Sequence, residues 1–350
     1  MFRKFVLALV FLFLVLSGTA QEQQSSTPAA AEQPSLEQPS LEQAQQLAGR
    51  GRLEQAMAQL DALAKQTPEP AGVERLRGII FYQQEKFPEA IDAFTKAVAQ
   101  DPNDRESMEM HGVSLFRMGH VPEAIPLLEK ARAAVASANI DPDYVLALSY
   151  ADVQRYDDSR HAFATQFGFA PDSPQAYLLA GRMFLRRELR DAAGEQASKA
   201  LALDPRLPLA HELLGEVALA RGDVPGAIRE LEAERALNPL NPDLYDRLGD
   251  AYLRTGQLAQ AQQALNRAVL LKPYATGPFI LLGEVFLKMN QPIQALHYLD
   301  HAVRMDPSNY ITHNLLGQAY KAVGDRAAAN REFRTVVQLQ GQGQPAPAEK

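Results

Sequence analysis

The sequence predicts an all-α fold, a stacked solenoid of about nine helix–turn–helix repeats, and three observations predict it. A small residue recurs at Ala56, Ala90, Ala124, Ser159, Ala193, Ala227, Ala261, Ala295 and Ala329, in steps of 34 with one step of 35. Glycines at 78, 112, 181, 215, 249, 283 and 317 each precede that residue by twelve. Prolines at 68, 102, 171, 205, 239, 273 and 307 close successive repeats. A period of this length means helix pairs stacked on their neighbours, not a chain wrapped round one central core.

The first element is the N-terminus. Arg3 and Lys4 precede an unbroken apolar run from Phe5 to Leu16, and Ser17-Gly18-Thr19-Ala20 supplies small residues. Residues 1–20 therefore read as a secretory signal peptide. Twelve helical residues rise only ~18 Å, against about 30 Å for a bilayer core. The alternative is an uncleaved N-terminal anchor, which would be the only route to a membrane. Residues 21–36 are Gln, Ser, Ala, Pro and Glu, a composition too polar to fold, and read as a disordered linker. Ser40 and Gln43 then form a capping box that opens the first helix.

The solenoid spans 37–343, with repeats near 37–70, 71–104, 105–139, 140–173, 174–207, 208–241, 242–275, 276–309 and 310–343. Each repeat has a helix A and a helix B. The glycine lies in mid-helix A, where it costs about 1 kcal/mol relative to alanine. Its repetition therefore needs a close approach between the two helices. Phe81, Leu115, Tyr150, Phe184, Tyr252, Phe286 and Tyr320 on helix A fall at core spacing with Phe94, Leu128, Phe163, Leu231, Leu265, Leu299 and Phe333 on helix B. Gly51, Gly119, Gly222, Gly256, Gly324 and Asn290 stand where helix A ends in a left-handed cap. Pro88, Pro122 and Pro225 start helix B. The first repeat is weak, with Ala44 in the glycine slot, and reads as a cap. Repeats three and four are irregular: Ala136 replaces the closing proline, Ala147 and Ser159 replace Gly and Ala, Gln166 takes a small apolar slot, and Gly168 interrupts helix B. A change of curvature or a hinge is expected near 136–171. A loose tail is expected from Gly341, with Pro345 and Pro347, and 344–350 lies beyond the last repeat.

The stretch Tyr245-x-x-Leu248-Gly249-x-x-Tyr252, with Ala261, Leu265, Ala268 and Pro273, resembles a tetratricopeptide repeat, and the resemblance extends over almost all of residues 37–343. It implies a right-handed superhelix of antiparallel helix pairs. The family's tryptophan slot is filled instead by Tyr177, Tyr245, Phe279, His211 or His313, since the chain has no tryptophan. The resemblance also implies that helix A lines a groove that receives a peptide or a partner helix. The Lys and Asn clamp that some members use for a C-terminal carboxylate is absent: the matching positions are Arg75 and Ile79, Glu109 and Val113, Tyr144 and Leu148.

Chemistry is sparse. The chain has no cysteine, which excludes disulfides, thiolate metal sites and thiol catalysis. A formal net charge of −7 disfavours a nucleic-acid partner. His211-Glu212 begins like a zinc-protease helix but lacks the second histidine. His297 and His301 are four apart, a spacing that suits either a metal or a solvated helix face. No catalytic residue, metal site or cofactor is expected. The candidate partner-binding set is Glu212, Glu216, Asp243, Asp246, Asp250 and Glu284, with Leu209, Leu219, Leu253, Ile280 and Leu287 between them. Asp243, Asp246 and Asp250 share one helix face, a mildly destabilising arrangement of like charges. This set is expected to attract a basic segment of a protein or peptide. Arg182 and Arg186 break the sign of the face, and would meet a partner's carboxylate or pair with Glu212 or Glu216. The expected function is an exported, periplasmic or secreted, non-enzymatic interaction scaffold. The alternatives are a self-assembling structural component of the cell envelope, joined through the last helix near Phe333, Val336, Val337 and Leu339, and a regulator or adaptor of an envelope enzyme.

Overall fold

The computed structural model describes residues 39–132 and 142–342. The expected signal peptide, the linker, Ala136 and the tail 344–350 lie outside the described residues. All regular structure among the described residues is helical. The chain divides into two compact units, one ending at Gln166 and the other beginning at Phe167. That division falls inside the stretch where the repeat pattern is most irregular.

In the first unit α1 (Leu41–Gly49) pairs with α2 (Leu53–Leu63), α3 (Val73–Gln83) with α4 (Phe87–Gln100), and α5 (Arg105–Met118) with α6 (Val121–Arg132). α7 (Pro142–Asp152) and α8 (Tyr156–Phe167) complete it. The second unit holds α9 (Pro174–Arg186) with α10 (Arg190–Leu203), α11 (Ala210–Arg221) with α12 (Val224–Leu237), α13 (Pro242–Arg254) with α14 (Leu258–Leu271), α15 (Thr276–Lys288) with α16 (Pro292–Met305), and α17 (Tyr310–Val323) with α18 (Arg326–Gln342). Odd-numbered helices are the A helices and even-numbered ones the B helices. α18 runs through Gly341 and Gln342, so the helix extends past the point where the sequence predicts a loose tail.

The mid-helix glycines have a packing reason that differs from the expected one in detail. A Cβ on Gly78 would meet the Phe94 ring at 2.6 Å, and one on Gly112 would meet Leu128 at 2.7 Å. Gly215 faces Leu231, Gly249 faces Leu265, Gly283 faces Leu299 and Gly317 faces Phe333 in the same way. In these six repeats the glycine receives the large B-helix side chain sixteen residues on, whereas Gly181 faces Leu213 of the next A helix at 2.8 Å; the recurring small residue admits the backbones. Ser159 confirms the second half of this: its hydroxyl donates to the Ala147 carbonyl at 2.7 Å, inside a fully buried contact.

The caps follow the turn chemistry. Ser40, Asp104, Ser173, Asn241 and Asn309 each accept backbone N–H groups at the start of an A helix. The left-handed position after helix A is occupied in every repeat. The expected glycines and Asn290 hold it in six, and Glu85, Gln154 and Glu188 hold it in the other three, at φ of 59°, 61° and 63°. Within each unit, A helices touch A helices of the next pair, as α1 with α3, α3 with α5, α9 with α11, α13 with α15, and α15 with α17. Among the described residues, B helices make no comparable approach to one another. One face of each A-helix row is therefore left uncovered by B helices, and that face positions the candidate site.

Candidate functional site

In the second unit the uncovered face brings together α11, α13 and α15, with α9 beside α11. Six of the predicted site residues are carboxylates, and five of them already hold a cation. Arg247 donates to Glu212 at 3.0 Å and to Glu216 at 2.6 Å. Lys272 holds Asp243 at 2.8 Å. Arg254 lies 3.7 Å from Asp250 and Lys288 lies 3.3 Å from Glu284, each one turn along its own helix. The face is a ladder of paired charges more than an open acidic field. Arg247 and Lys272 are the residues that sequence reasoning missed. A signal for them existed: the pairs span 31, 35 and 29 residues, close to one repeat period.

Glu212 is nearly buried. Burial pushes its carboxyl up from the ordinary range, Arg247 pulls it down, and Glu216 raises it further. Its second oxygen accepts from the Asn241 side chain at 2.7 Å. This bond has a counterpart one unit away, where Arg75 donates to Asp104 at 3.3 Å. Both link an A-helix side chain to the N-cap of the next A helix, 29 residues on. Asp246 occupies the same repeat position as Glu212, one period later. Twenty-nine residues beyond it stands Ala275, the N-cap of α15, which has no side-chain oxygen or amide to offer. Asp246 Oδ1 is accordingly buried with no hydrogen-bond partner. Burial raises the Asp246 carboxyl, Arg247 opposes this, and Asp243 and Asp250 add to it. The carboxylate lies over the first turn of α15, where a Cβ on Gly277 would be 3.7 Å from Oδ2.

The arginines of α9 do not form the expected pair with the acids. Arg182 makes no ion pair within 4 Å; one terminal nitrogen is buried without a hydrogen-bond partner, and its charge is felt by Glu212. Arg186 is exposed and unpaired. Arg247 holds Glu212 and Glu216 together instead. The leucines also differ from expectation. Leu253 is 4 % exposed within the core formed by α13 to α17, so it offers no surface to a ligand, and Ile280 and Leu287 are packed partly against the same core.

His211 and His301 are half-buried with packing partners, and His297 is exposed. His211 Nδ1 lies 2.9 Å from Glu230, His301 tilts onto Phe279 at 4.3 Å between ring centres, and His297 meets Tyr298 edge-on at 5.3 Å. Among the described residues no three His, Cys, Asp or Glu side chains are disposed to hold a metal. No described helix is long and apolar enough to cross a membrane.

Helix pairs repeating every 34 residues, with glycine set against a large side chain, narrow the family. Two tetratricopeptide-repeat profiles match the chain, one over residues 41–105 and 144–208, the other over 218–273. The chain carries tetratricopeptide repeats. The matched segments lie in both units and leave residues 106–143, 209–217 and 274–343 outside the matches. Among solved structures, MamA residues 41 to the end from Desulfovibrio magneticus RS-1 is 21 % identical, covering 50 % of this chain and 98 % of that one with a TM-score of 0.48. YrrB, a TPR protein with an unusual peptide-binding site, is 20 % identical, covering 53 % and 95 % with a TM-score of 0.48. PilF from Pseudomonas aeruginosa is 24 % identical, covering 49 % and 78 % with a TM-score of 0.43. No curated protein matches the sequence.

Proposed function

We propose that this TPR chain is an exported, non-enzymatic scaffold that binds a basic segment of a partner protein on the uncovered A-helix face of α11, α13 and α15. One observation carries the reading: Asp246 is the carboxylate on that face whose repeat partner has been replaced by alanine, which leaves a buried acceptor oxygen unsatisfied. An unsatisfied buried acceptor costs about 1–3 kcal/mol. A lysine or arginine brought to the face offsets part of that cost through its charge, and Asp243 and Asp250 on the same helix face add to its attraction. The remaining acids contribute less, because a partner has to displace Arg247, Lys272, Arg254 or Lys288 to reach them. Arg182 and Arg186 set the end of the face at which a carboxylate of the same partner would lie.

The test is a fluorescein-labelled peptide of alternating Lys and Leu, titrated by fluorescence anisotropy. Reversal of Asp243, Asp246 and Asp250 to Lys weakens its binding at least tenfold, and Ala275→Asn weakens it while raising thermal stability. Unchanged affinity in both variants, with native helicity, refutes the reading. Export rests on Arg3, Lys4, the apolar run to Leu16 and the small residues before Gln21. Mass spectrometry of the protein from its native cells, finding Met1–Ala20 still attached, would refute cleavage.

Self-association through α18 is favoured by one specific observation. Val98, Leu201, Val269 and Val303 take one position on the B helices and are half-buried, Phe167 there is 48 % exposed, and Val337 there is 69 % exposed. Sedimentation velocity decides it: a monomer at high concentration removes this second reading.

A further inference from the structure

The B side of the second unit carries a feature that the inner face does not explain. α12 and α14 stand apart over α13 and leave an open wedge of about 640 Å³. Its floor is two tyrosines of α13, both fixed: the Tyr245 hydroxyl donates to the Pro239 carbonyl at 3.0 Å and the Tyr252 hydroxyl to Glu232 at 2.5 Å. The other Glu232 oxygen takes Arg235 at 2.5 Å, so this carboxylate is fully engaged. Arg267, on the α14 wall, forms no ion pair among the described residues. The surplus charge of the wedge is therefore positive, on a chain whose formal net charge is −7.

The mouth of the wedge is apolar against the repeat pattern. Successive helices are antiparallel, so the end of α12, the start of α13 and the end of α14 lie at one edge. At that edge Leu240, Leu270 and Tyr274 are 66 %, 69 % and 89 % exposed. The Leu270 position holds Ala202, Ala236, Arg304 and Gln338 in neighbouring repeats. The Leu240 and Tyr274 position, after the closing proline, holds Glu69, Asn103, Asp172, Arg206 and Ser308 elsewhere. Folding of the repeat thus does not call for large apolar groups there. Leu270 lines the wedge beside Arg267, Leu240 and Tyr274 stand at the same edge of the helix layer, and exposed apolar groups concentrated in this way mark interaction surfaces.

We propose that the α12–α14 wedge is a second docking site, taken by a short acidic peptide segment of a partner protein with an apolar anchor residue. A volume of this size accommodates about five residues of extended chain, within the usual range for pockets. A carboxylate of the segment pairs with Arg267, and a further one reaches the outer edge of Arg235. The apolar anchor covers Leu270 and enters between Leu240 and Tyr274 over the tyrosine floor. A polynucleotide fits poorly, because Glu232 sits among the basic groups. This site is independent of the inner face, which takes the opposite charge.

Fluorescence anisotropy with a labelled octapeptide bearing Asp and Glu on both sides of a Leu-Phe pair tests the assignment. The controls are the same peptide with Lys and Arg in place of the acids, and competition by a 20-nucleotide single strand. The acidic peptide binds; Arg267→Glu and Leu270→Asp each weaken it at least tenfold with unchanged melting curves, since both positions face the wedge opening. Asp246→Lys, on the other face, changes its affinity less than threefold, although the same change abolishes basic-peptide binding if the inner-face reading holds. No binding of the acidic peptide, equal binding of the charge-swapped peptide, displacement by the single strand at equal potency, or insensitivity to both wedge variants overturns the proposal.

Discussion

Gly249 stands where Leu265 enters helix α13 so closely that a methyl group would overlap the leucine's branch point. Intrinsic preference favours alanine there by about 1 kcal/mol, but overpacking costs about 1–3 kcal/mol. Packing wins, and Gly249→Ala is expected to lower stability by roughly 1–2 kcal/mol in chemical denaturation. The left-handed positions show the opposite balance. Glu85 and Glu188 are exposed and hold a conformation that costs an L-residue about 1–2 kcal/mol. Glycine removes that cost while adding some unfolded-chain entropy. Glu85→Gly and Glu188→Gly are each expected to raise stability by about 0.5–1 kcal/mol. The glycine at the equivalent position was predictable from sequence in five repeats; Glu85, Gln154 and Glu188 were not, because Glu and Gln carry no signal for positive φ. At Asp246 the prediction is pH-dependent. Burial raises its carboxyl in the folded chain, so the folded state binds the proton more tightly than the unfolded state and stability falls as pH rises through that window. Asp246→Asn is therefore stabilising at neutral pH, and the gain fades as pH drops towards 3.8. A gain that persists undiminished at acid pH contradicts the assignment.

At the scale of the helix, two caps show how elements borrow from one another. The N-cap of α11 is Leu209, which has no capping side chain and a φ of 70°. The N–H of Leu209 donates instead to Glu234 of α12 at 2.8 Å. Glu234 is fully buried, in the slot that holds Ala200, Ala268 and Ala302 in other repeats. It is a substitute cap brought in through space. Glu234→Ala restores the repeat residue yet is expected to destabilise by about 1–2 kcal/mol, read as a lower denaturation midpoint and faster amide exchange at the start of α11. α15 lacks both kinds of cap. Ala275→Asn places an amide where Asn241 and Asn309 already accept backbone N–H groups, and its NH2 lies within reach of the Asp246 position. Stability is expected to rise by about 1 kcal/mol, measured by thermal melting. The period made the regular caps legible. It concealed Glu234 and Arg247, whose significance lies in the neighbouring helix they reach.

Across the whole chain, stability is local. Within each of the two compact units, helix pairs pack on their sequence neighbours. Unfolding of such an array proceeds by regions. The Gly249→Ala change is expected to lower hydrogen-exchange protection in α13 to α16 and to leave α1 to α6 unaffected. Equal loss of protection in both units would instead indicate one cooperative body. The 34-residue period, the small residues and the turn prolines by themselves determined the helix pairs, their order and most of the core, because each repeat is a local structure whose rules operate within a few turns of chain. What only the tertiary structure decided is which charges remain available. Five of six inner carboxylates are neutralised by cations roughly one period away or one turn along, and Asp246 is left over since Ala275 cannot answer it. The wedge between α12 and α14 likewise exists only where two B helices splay. Those outcomes depend on distances between helices, which no single repeat encodes.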